Sequence, residues 1–419
     1  MSNMELPVAV IGAGPIGLAA AAQLATRNMP FVVLEAGDSV AASVGQWAHV
    51  KLFSPWRFNT DPTARTLLEA TGWTAPDPRR LPTGGELIHD YLAPLAAHPA
   101  IAPHIRYGTR VTAIARQGFD KVRTAGREQA PFLIRLADGG EVVASAVVDA
   151  SGTWLSANPV GGNGLTAYGE DEARQASRVF DGMPDVLGRL RDSFAGKSVA
   201  VVGAGHCATG TLLALAGQVH AVHWILRAHD PSRAYGSGAA DALPARGSIG
   251  TEVKALVEQG KVTVHTGFFV HEITGEGLVS ADGRKVQADV IVNATGARPD
   301  HSIADELRLD LDPILGSTRA LAPLIDPNQH SCGTVPPHGA QELAHPEPGF
   351  YIVGAKSYGR APTFLLATGY EQARSVVAAL DGDWEAARSV QLELPETGVC
   401  SSNNRQLPLL QSSNGGCCG

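Results

Sequence analysis

The amino-acid sequence predicts an α/β fold built on two separate parallel β-sheets. Two glycine-rich segments predict it, residues 12–17 (GAGPIG) and residues 203–208 (GAGHCA). Each follows a short apolar run typical of a buried strand and opens an apolar run typical of a helix. In that context the first glycine permits a tight turn, the second lets the backbone approach a pyrophosphate, and the third position lets helix and strand pack closely. The chain is therefore expected to contain two Rossmann-like dinucleotide-binding domains.

The first glycine-rich segment is predicted to bind the pyrophosphate of FAD or NAD. Free N–H groups and the helix dipole favour an anion at the start of the helix that follows the turn. The next apolar strand ends at Glu35. An acid about 20 residues beyond the glycines accepts hydrogen bonds from a ribose diol, which fits a dinucleotide without a 2′-phosphate. The predicted contacts are Gly12, Gly14, Pro15, Ile16, Gly17, Glu35 and Ala36.

The second glycine-rich segment is predicted to bind NADPH. The strand of residues 222–226 ends at Arg227, a cation that suits the 2′-phosphate of NADPH, and Arg233 is expected to assist it. For both Glu35 and Arg227 the alternative interpretation is a solvated charge at the end of a strand. The predicted contacts at this turn are Gly203, Gly205, His206, Cys207 and Ala208.

Together these segments resemble the flavoproteins with two dinucleotide-binding domains, which include disulfide reductases and flavin-containing monooxygenases. Residues 147–152 (VVDASG) and 290–296 (VIVNATG) are each similar to the apolar strand and ATG element that closes a nucleotide domain in those proteins. The resemblance implies that FAD binds the N-terminal turn and NADPH the inserted one. It adds Ser151 and Gly152 to the FAD contacts, and Thr295 and Gly296 to the NADPH contacts.

The same resemblance divides the chain into four parts. Each nucleotide domain is also expected to carry a small hairpin, because Asp138-Gly139 and Asp282-Gly283 are strong turn signals. The expected parts are residues 1–160 for the first part of the FAD domain, 161–297 for the NADPH domain, 298–390 for the return segment of the FAD domain, and 391–419 for a flexible tail.

The monooxygenase branch implies which residues surround the flavin. A tryptophan at the position of Trp47 and an asparagine near that of Asn59 lie beside the isoalloxazine there. Residues 349–356 resemble the last FAD motif, except that Ala355 replaces the aspartate that normally holds the ribitol. Lys356 and Arg360 are expected to add positive charge near the flavin. The further FAD contacts are Gln46, Trp47, Val111, Gly354, Lys356 and Thr363, and the flavin-pocket candidates are Trp47, His49, Lys51, Asn59, Lys356, Tyr358 and Arg360.

Departures from the family patterns reduce the number of activities that the resemblance allows. Disulfide reductases of this fold carry a CxxC or Cx4C beside the flavin, and the sequence contains neither. Baeyer–Villiger and N-oxide monooxygenases carry FxGxxxHxxx(W/Y) before the second turn. Phe180 and Gly182 match that pattern, whereas Val186 and Leu190 stand at the histidine and aromatic positions. Oxygenation is thus favoured by the layout, and reductase or oxidase behaviour stays open.

The tail contains three of the five cysteines, Cys400, Cys417 and Cys418. They resemble the paired C-terminal cysteines of mercuric reductase, and soft thiolates suit Hg(II) and trivalent arsenic. The alternative is a flexible tail with incidental cysteines. With the tail, residues 332–333, 337–339 and 356–360 also resemble flavin monooxygenases of bacterial arsenic-resistance clusters.

Composition argues against other classes of function. The net charge of −8 disfavours a nucleic-acid surface, and no apolar stretch reaches the length of a membrane span. No signal peptide precedes the first strand, and the cysteine spacing suits a reducing cytoplasm. The expected partners are a small-molecule substrate and O2, with no nucleic acid and no membrane, and a homodimer is left open.

These observations predict a cytoplasmic, NADPH-dependent FAD oxidoreductase that is monooxygenase-like. Hydride passes from NADPH to FAD, and the reduced flavin and O2 oxidise a soft nucleophile such as sulfur or trivalent arsenic. No acid–base residue is assigned, because the cofactor supplies the chemistry. Two alternatives stay open, a thiol or soft-metal-ion reductase that uses the tail cysteines, and a non-enzymatic flavin redox sensor.

Overall fold

The computed structural model describes residues 6–236, 238, 241, 243–329, 335, 337–361 and 364–392. In this part of the chain the predicted α/β fold is confirmed, with two five-stranded parallel sheets and two three-stranded antiparallel sheets. No helix of the described residues is long and apolar enough to cross a membrane.

The strands are short, and five of the ten strands in the parallel sheets are buried along their whole length. The strands are β1 (Val8–Ile11), β2 (Phe31–Leu34), β3 (Ile105–Arg106), β4 (Val111–Arg116), β5 (Phe132–Leu136), β6 (Glu141–Ala144), β7 (Ala146–Asp149), β8 (Val179–Asp181), β9 (Ser198–Val202), β10 (Ala221–Ile225), β11 (Thr263–His265), β12 (Val270–Thr274), β13 (Gly277–Ser280), β14 (Lys285–Gln287), β15 (Val290–Asn293) and β16 (Phe350–Ile352). The helices are α1 (Pro15–Thr26), α2 (Ala42–Gly45), α3 (Pro62–Glu69), α4 (Gly84–Leu87), α5 (Ala93–Ala96), α6 (Glu170–Gln175), α7 (Arg191–Phe194), α8 (His206–Leu215), α9 (Pro244–Glu258), α10 (Ala322–Ile325), α11 (Ala340–Leu343), α12 (Leu366–Leu380) and α13 (Trp384–Arg388).

The two parallel sheets repeat one topology. The strand order is β16-β7-β1-β2-β3 in the first sheet and β11-β10-β9-β15-β8 in the second, so that β7-β1-β2-β3 corresponds to β15-β9-β10-β11. The remaining edge strand differs, because β16 comes from the return segment whereas β8 precedes the second glycine-rich turn. The internal repeat expected from the two turns is therefore present in the fold.

Each parallel sheet is covered on both faces. Along β1, Val8 and Val10 belong to one apolar core, and Ala9 and Ile11 belong to the core on the other face. Strand β9 divides its side chains in the same way between two further cores. Double coverage explains why these strands read as continuous apolar runs rather than as alternating ones.

The two small hairpins form where the Asp-Gly turns predict them. Gly139 and Gly283 have φ of +87° and +86°, a left-handed conformation that glycine adopts without strain. The preceding aspartates also close the turns, because the Asp138 carboxylate accepts from the N–H of Gly140 and that of Asp282 accepts from the N–H of Arg284. The hairpins belong to the antiparallel sheets β4-β5-β6 and β12-β13-β14.

A buried ionic cluster attaches the first antiparallel sheet to the return segment. The Glu347 carboxylate accepts from Nε of Arg116 at 2.7 Å and from Nη2 of Arg127 at 2.8 Å, and all three side chains are almost completely buried. Burial alone would raise the pKa of Glu347, but the hydrogen bonds from both arginines lower it. The Arg116 guanidinium also lies 3.7 Å from the centre of the Phe132 ring. The cluster therefore needs its anion to stay ionised.

We expect Glu347→Gln to lower the free energy of unfolding by about 3–5 kcal/mol, because it leaves two buried arginines without their counter-charge. Chemical denaturation of the purified variant measures the change. The matched control is Glu141→Gln, which removes an exposed ion pair with Arg135 and should cost under about 1 kcal/mol. Equal effects of the two substitutions would contradict a structural role for the buried cluster.

Candidate functional site

The first glycine-rich turn has the geometry of a pyrophosphate cradle. Gly12 has φ of +98°, and a Cβ at Gly17 would lie 1.9 Å from the carbonyl oxygen of Gly12, so both positions need glycine for the fold itself. A Cβ at Gly14 would meet no atom within 4 Å. The fold does not require glycine there, and the open space is what a bound pyrophosphate would use. Pro15 begins helix α1, whose N-terminus carries no side-chain cap.

Glu35 lies beside this cradle. Its carboxylate accepts from the N–H of Ala13 at 2.6 Å and from the N–H of Gly37 at 2.8 Å. The N–H of Thr109 donates to the Glu35 carbonyl, which brings the start of β4 and Val111 alongside the same turn. Ala36 is exposed next to it. The predicted adenosine contacts are therefore neighbours, and the fit to FAD rests on the cradle and this fixed carboxylate.

The second turn repeats the cradle with one change. Gly203 has φ of +133°, and a Cβ there would lie 2.2 Å from the carbonyl oxygen of Ala294, whereas a Cβ at Gly205 would meet nothing within 4 Å. Ala208 occupies the third position, in the first turn of helix α8, and is fully buried. Gly296, with φ of +91°, follows the strand that closes this domain, and the Thr295 hydroxyl bonds Asn293.

The cations predicted to select NADPH are accessible. Arg227 and Arg233 are both exposed, and Nη1 of Arg227 donates to the carbonyl of Gly162 at 3.2 Å. Arg227 lies two residues beyond the end of β10, at the carboxyl edge of the sheet where nucleotides bind in such folds. Cys207 belongs to the second glycine-rich segment, and burial raises the pKa of its thiol. Its position suits packing rather than thiolate chemistry.

Lys356 was expected to add positive charge near the flavin, and in the structure that charge is paired with Asp149. Its ammonium donates to Oδ2 of Asp149 at 2.7 Å and to Oγ of Ser151 at 3.2 Å, and the Lys356 and Asp149 side chains are buried. The Ser151 hydroxyl donates in turn to Asp149. Sequence reasoning missed Asp149. The signal that could have identified it is an acidic residue at the end of the apolar strand β7, because a buried carboxylate requires a partner.

Asn59 was expected to lie near the flavin, and its side chain is hydrogen-bonded within its own loop. The side chain is 1% exposed, its amide donates to the carbonyls of Ser54 and Pro55, and its oxygen accepts from the Ser54 hydroxyl. These bonds hold the loop together and use both amide hydrogens locally. Asn59 therefore shapes the loop rather than offering its amide to a ligand.

The loop carrying Trp47 meets the segment that follows Ser151 and Gly152. Nε1 of Trp154 donates to Oε1 of Gln46 at 2.7 Å, and the rings of Trp47 and Trp154 lie 6.4 Å apart. Trp154 was also missed from the sequence, although it stands two residues beyond the predicted contact Gly152. The hydrogen bond and the ring contact therefore join the Trp47 loop to the segment that follows Gly152.

The remaining candidates divide by burial. His49, Lys51 and Arg360 are exposed. Tyr358 is buried, edge-on to the ring of Phe364, and burial raises the pKa of its hydroxyl. Gly354, with φ of +74°, packs against Ile16 of the first turn. Thr363, Cys400, Cys417 and Cys418 lie outside the described residues.

A loop from the first half of the chain contacts the second glycine-rich turn. The ring of Phe53, from the loop of the first domain, lies 5.1 Å from the ring of His206, which begins helix α8 at the second turn. The Arg246 guanidinium lies 5.9 Å from the centre of the same Phe53 ring. Residues of both halves of the chain therefore meet next to the second cradle.

Comparison with known proteins agrees with this geometry. The family model of pyridine nucleotide-disulphide oxidoreductases matches residues 6–316. Indole-3-pyruvate monooxygenase YUCCA1 of rice is 33% identical over 212 residues, which are 47% of this chain and 42% of that enzyme. Ferredoxin–NADP reductase of Granulibacter bethesdensis is 27% identical over 330 residues, 74% of this chain and 73% of that enzyme. The chain thus spans less than half the length of the rice relative.

A solved structure shows the same fold. Bacillithiol disulfide reductase Bdr (YpdA) from Bacillus cereus superposes with a TM-score of 0.64 at 20% identity, covering 90% of this chain and 99% of that one. The three relatives carry the names of three different reactions. The chain belongs to the pyridine nucleotide-disulphide oxidoreductase family, with FAD and NAD(P)H as its cofactors.

Proposed function

We propose that the protein is an NADPH-dependent FAD monooxygenase that oxidises a soft nucleophile, sulfur or trivalent arsenic. The observation that carries the proposal is the state of Cys207. It is the one free cysteine among the described residues, it is half-buried, and burial raises the pKa of its thiol. A raised pKa disfavours the thiolate form, so no thiol of that part of the chain is set up to exchange electrons with the flavin, and we assign O2 as the acceptor.

The reaction balances as substrate + O2 + NADPH + H⁺ giving oxygenated substrate + H2O + NADP⁺. When bound, FAD supplies the redox chemistry, and the chain supplies position and a screened environment. The Gly12–Gly17 turn and the start of α1 would hold the FAD pyrophosphate, and Glu35 the adenosine ribose. Arg227 would hold the 2′-phosphate of NADPH beside the second turn.

The choice of a soft nucleophile rests on the sequence. Three cysteines in the tail and the resemblance to flavin monooxygenases of arsenic-resistance clusters both favour a thiophilic substrate. The alternative is a thiol or soft-metal-ion reductase in which the tail cysteines carry the substrate. Oxygen dependence separates these two activities. A protein that never consumes NADPH would instead be a redox sensor.

We expect Gly14→Ala to weaken FAD binding by at least about ten-fold and to leave the fold intact. The added methyl group meets no protein atom but occupies the space that the pyrophosphate needs. Flavin absorbance per protein and the circular dichroism of the FAD-free protein measure the two effects. The matched variant is Gly17→Ala, whose methyl group would collide with the Gly12 carbonyl, so that both the fold and the FAD content should be lost. Full FAD occupancy of Gly14→Ala would contradict the assignment.

We expect Arg227→Ala to raise the KM for NADPH roughly ten- to a hundred-fold and to leave the KM for NADH nearly unchanged. A charge-assisted bond to phosphate contributes about 1.5–3 kcal/mol, and each 1.4 kcal/mol is about a factor of ten. Steady-state kinetics with both coenzymes measure the change. Arg135→Ala, an exposed arginine on the antiparallel sheet, should change neither KM. A similar loss with NADPH and NADH would assign Arg227 a structural role.

The third test separates oxygenase from reductase. We expect NADPH consumption with arsenite or a small thiol to require O2, and to persist at about the same rate in Cys417→Ser/Cys418→Ser and after deletion of residues 399–419. The deletion removes no strand or helix of the described fold, because the last strand, β16, ends at Ile352, and α12 and α13 end at Leu380 and Arg388. Oxygen consumption and NADPH absorbance are recorded together. Anaerobic turnover that disappears in the double variant would instead establish the reductase.

A further inference from the structure

A small cavity lies within the return segment, between the loop of residues 310–318 and the stretch that ends at Ser357. Apart from Lys356, its lining includes none of the predicted dinucleotide contacts, and its size leaves room for about one water-sized molecule. The lining residues are His301, Leu311, Gly316, Ser317, Thr318, His345, Ile352, Lys356 and Ser357.

Three buried polar atoms of this lining have no hydrogen-bond partner among the described residues. They are Nδ1 of His301, Nε2 of His345 and Oγ of Ser317. Ser317 is 1% exposed and His345 is 8% exposed, so bulk water does not solvate them. Unpartnered buried polar atoms are costly and rare in native proteins. Three of them around one cavity indicate that the cavity has an occupant.

The hydrogen bonds on the far side of each imidazole fix what that ring presents to the cavity. Nε2 of His301 lies 2.9 Å from the carbonyl oxygen of Gly316, so it carries the hydrogen and leaves Nδ1 with a lone pair. Nδ1 of His345 accepts from the N–H of Asp310 at 3.2 Å, so the hydrogen of that ring is on Nε2. One ring therefore offers the cavity an acceptor and the other offers it a donor.

Both rings are neutral at neutral pH. Burial, with His301 nearby, lowers the pKa of His345 to about 4. Burial also lowers the pKa of His301, and the Lys356 ammonium contributes in the same direction. Of the charged groups, Asp310 favours the protonated form of His345, and Asp149 and Asp300 favour that of His301, but burial outweighs them.

We propose that this cavity is a specific binding site for a neutral molecule of the size of water that both donates and accepts hydrogen bonds. Water is the occupant of that class in the resting protein. It accepts from Nε2–H of His345, donates to Nδ1 of His301 and exchanges a hydrogen bond with the Ser317 hydroxyl. An anion would face the lone pair of His301, a metal cation would face the N–H of His345, and an apolar molecule would leave all three atoms unpaired.

The position of the site connects it to the FAD cradle. Lys356 forms part of the cavity wall, and its ammonium bonds Asp149 and Ser151 at the end of β7. Two residues earlier, Gly354 packs against Ile16 of the first turn. The occupant therefore supports the segment that carries Gly354 and Lys356, so displacing it should weaken FAD binding without replacing any predicted FAD contact.

A high-resolution crystal structure of the FAD-free protein tests the site directly. We expect one solvent peak within hydrogen-bonding distance of Nε2 of His345 and Nδ1 of His301. Crystals soaked in bromide or in Zn²⁺ should show no anomalous peak at that position. An empty cavity, or one that takes up either ion, would overturn the proposal.

Nitrogen-15 NMR of the histidine rings provides a second readout that does not depend on crystals or FAD. Both His301 and His345, identified with His301→Gln and His345→Gln, should carry hydrogen on Nε2 at pH 7. A hydrogen on Nδ1 of either ring would overturn the donor–acceptor assignment.

Two substitutions of one residue connect the occupant to FAD. Ser317→Ala keeps both imidazole contacts, so the water and the FAD affinity should be retained. Ser317→Val fills the space, so the water should be lost and the FAD dissociation constant should rise about ten-fold. Unchanged FAD affinity in Ser317→Val after loss of the water would overturn the coupling to the cradle.

Discussion

Helix α1 approaches strand β1 so closely that only a hydrogen atom fits at residue 17, where a Cβ would lie 1.9 Å from the Gly12 carbonyl. This contact sets the height of the helix N-terminus above the carboxyl edge of the first sheet. The free N–H groups of the turn, the Glu35 carboxylate bonded to Ala13, and the packing of Gly354 on Ile16 all depend on it. The second domain has alanine at the corresponding position 208, and its closest backbone approach is at Gly203, where a Cβ would lie 2.2 Å from the carbonyl oxygen of Ala294.

Two buried ionic contacts then fix the return segment on the first sheet. Glu347 bonds Arg116 of the antiparallel sheet and Arg127 of the connection between β4 and β5, and Lys356 bonds Asp149 of the parallel sheet. Buried ion pairs add little net stability, but a shifted register would leave each charge unpaired in the interior. The ionic contacts therefore specify where the segment lies, and the apolar side chains of β16 supply the burial.

The sequence predicted the parts of the fold that local patterns encode. Turns, closing strands and Asp-Gly hairpins depend on residues close together in the chain, so their geometry could be inferred. The partner of Lys356 is 207 residues away, and no spacing rule connects it with Asp149. Trp154 was missed because the strand motif that precedes it ends at Gly152. Nothing in the sequence marked His301 and His345 as neighbours.

The discontinuity of the first sheet also constrains how the chain matures on the ribosome. Strands β1, β2, β3 and β7 are synthesised before residue 150, but their edge strand β16 follows only at Phe350–Ile352. The second sheet is contiguous from Val179 to Asn293 and can fold in the interval. Until the return segment emerges, Asp149 is an uncompensated anion in an apolar strand. The nascent first domain is therefore expected to complete last, although its residues are made first.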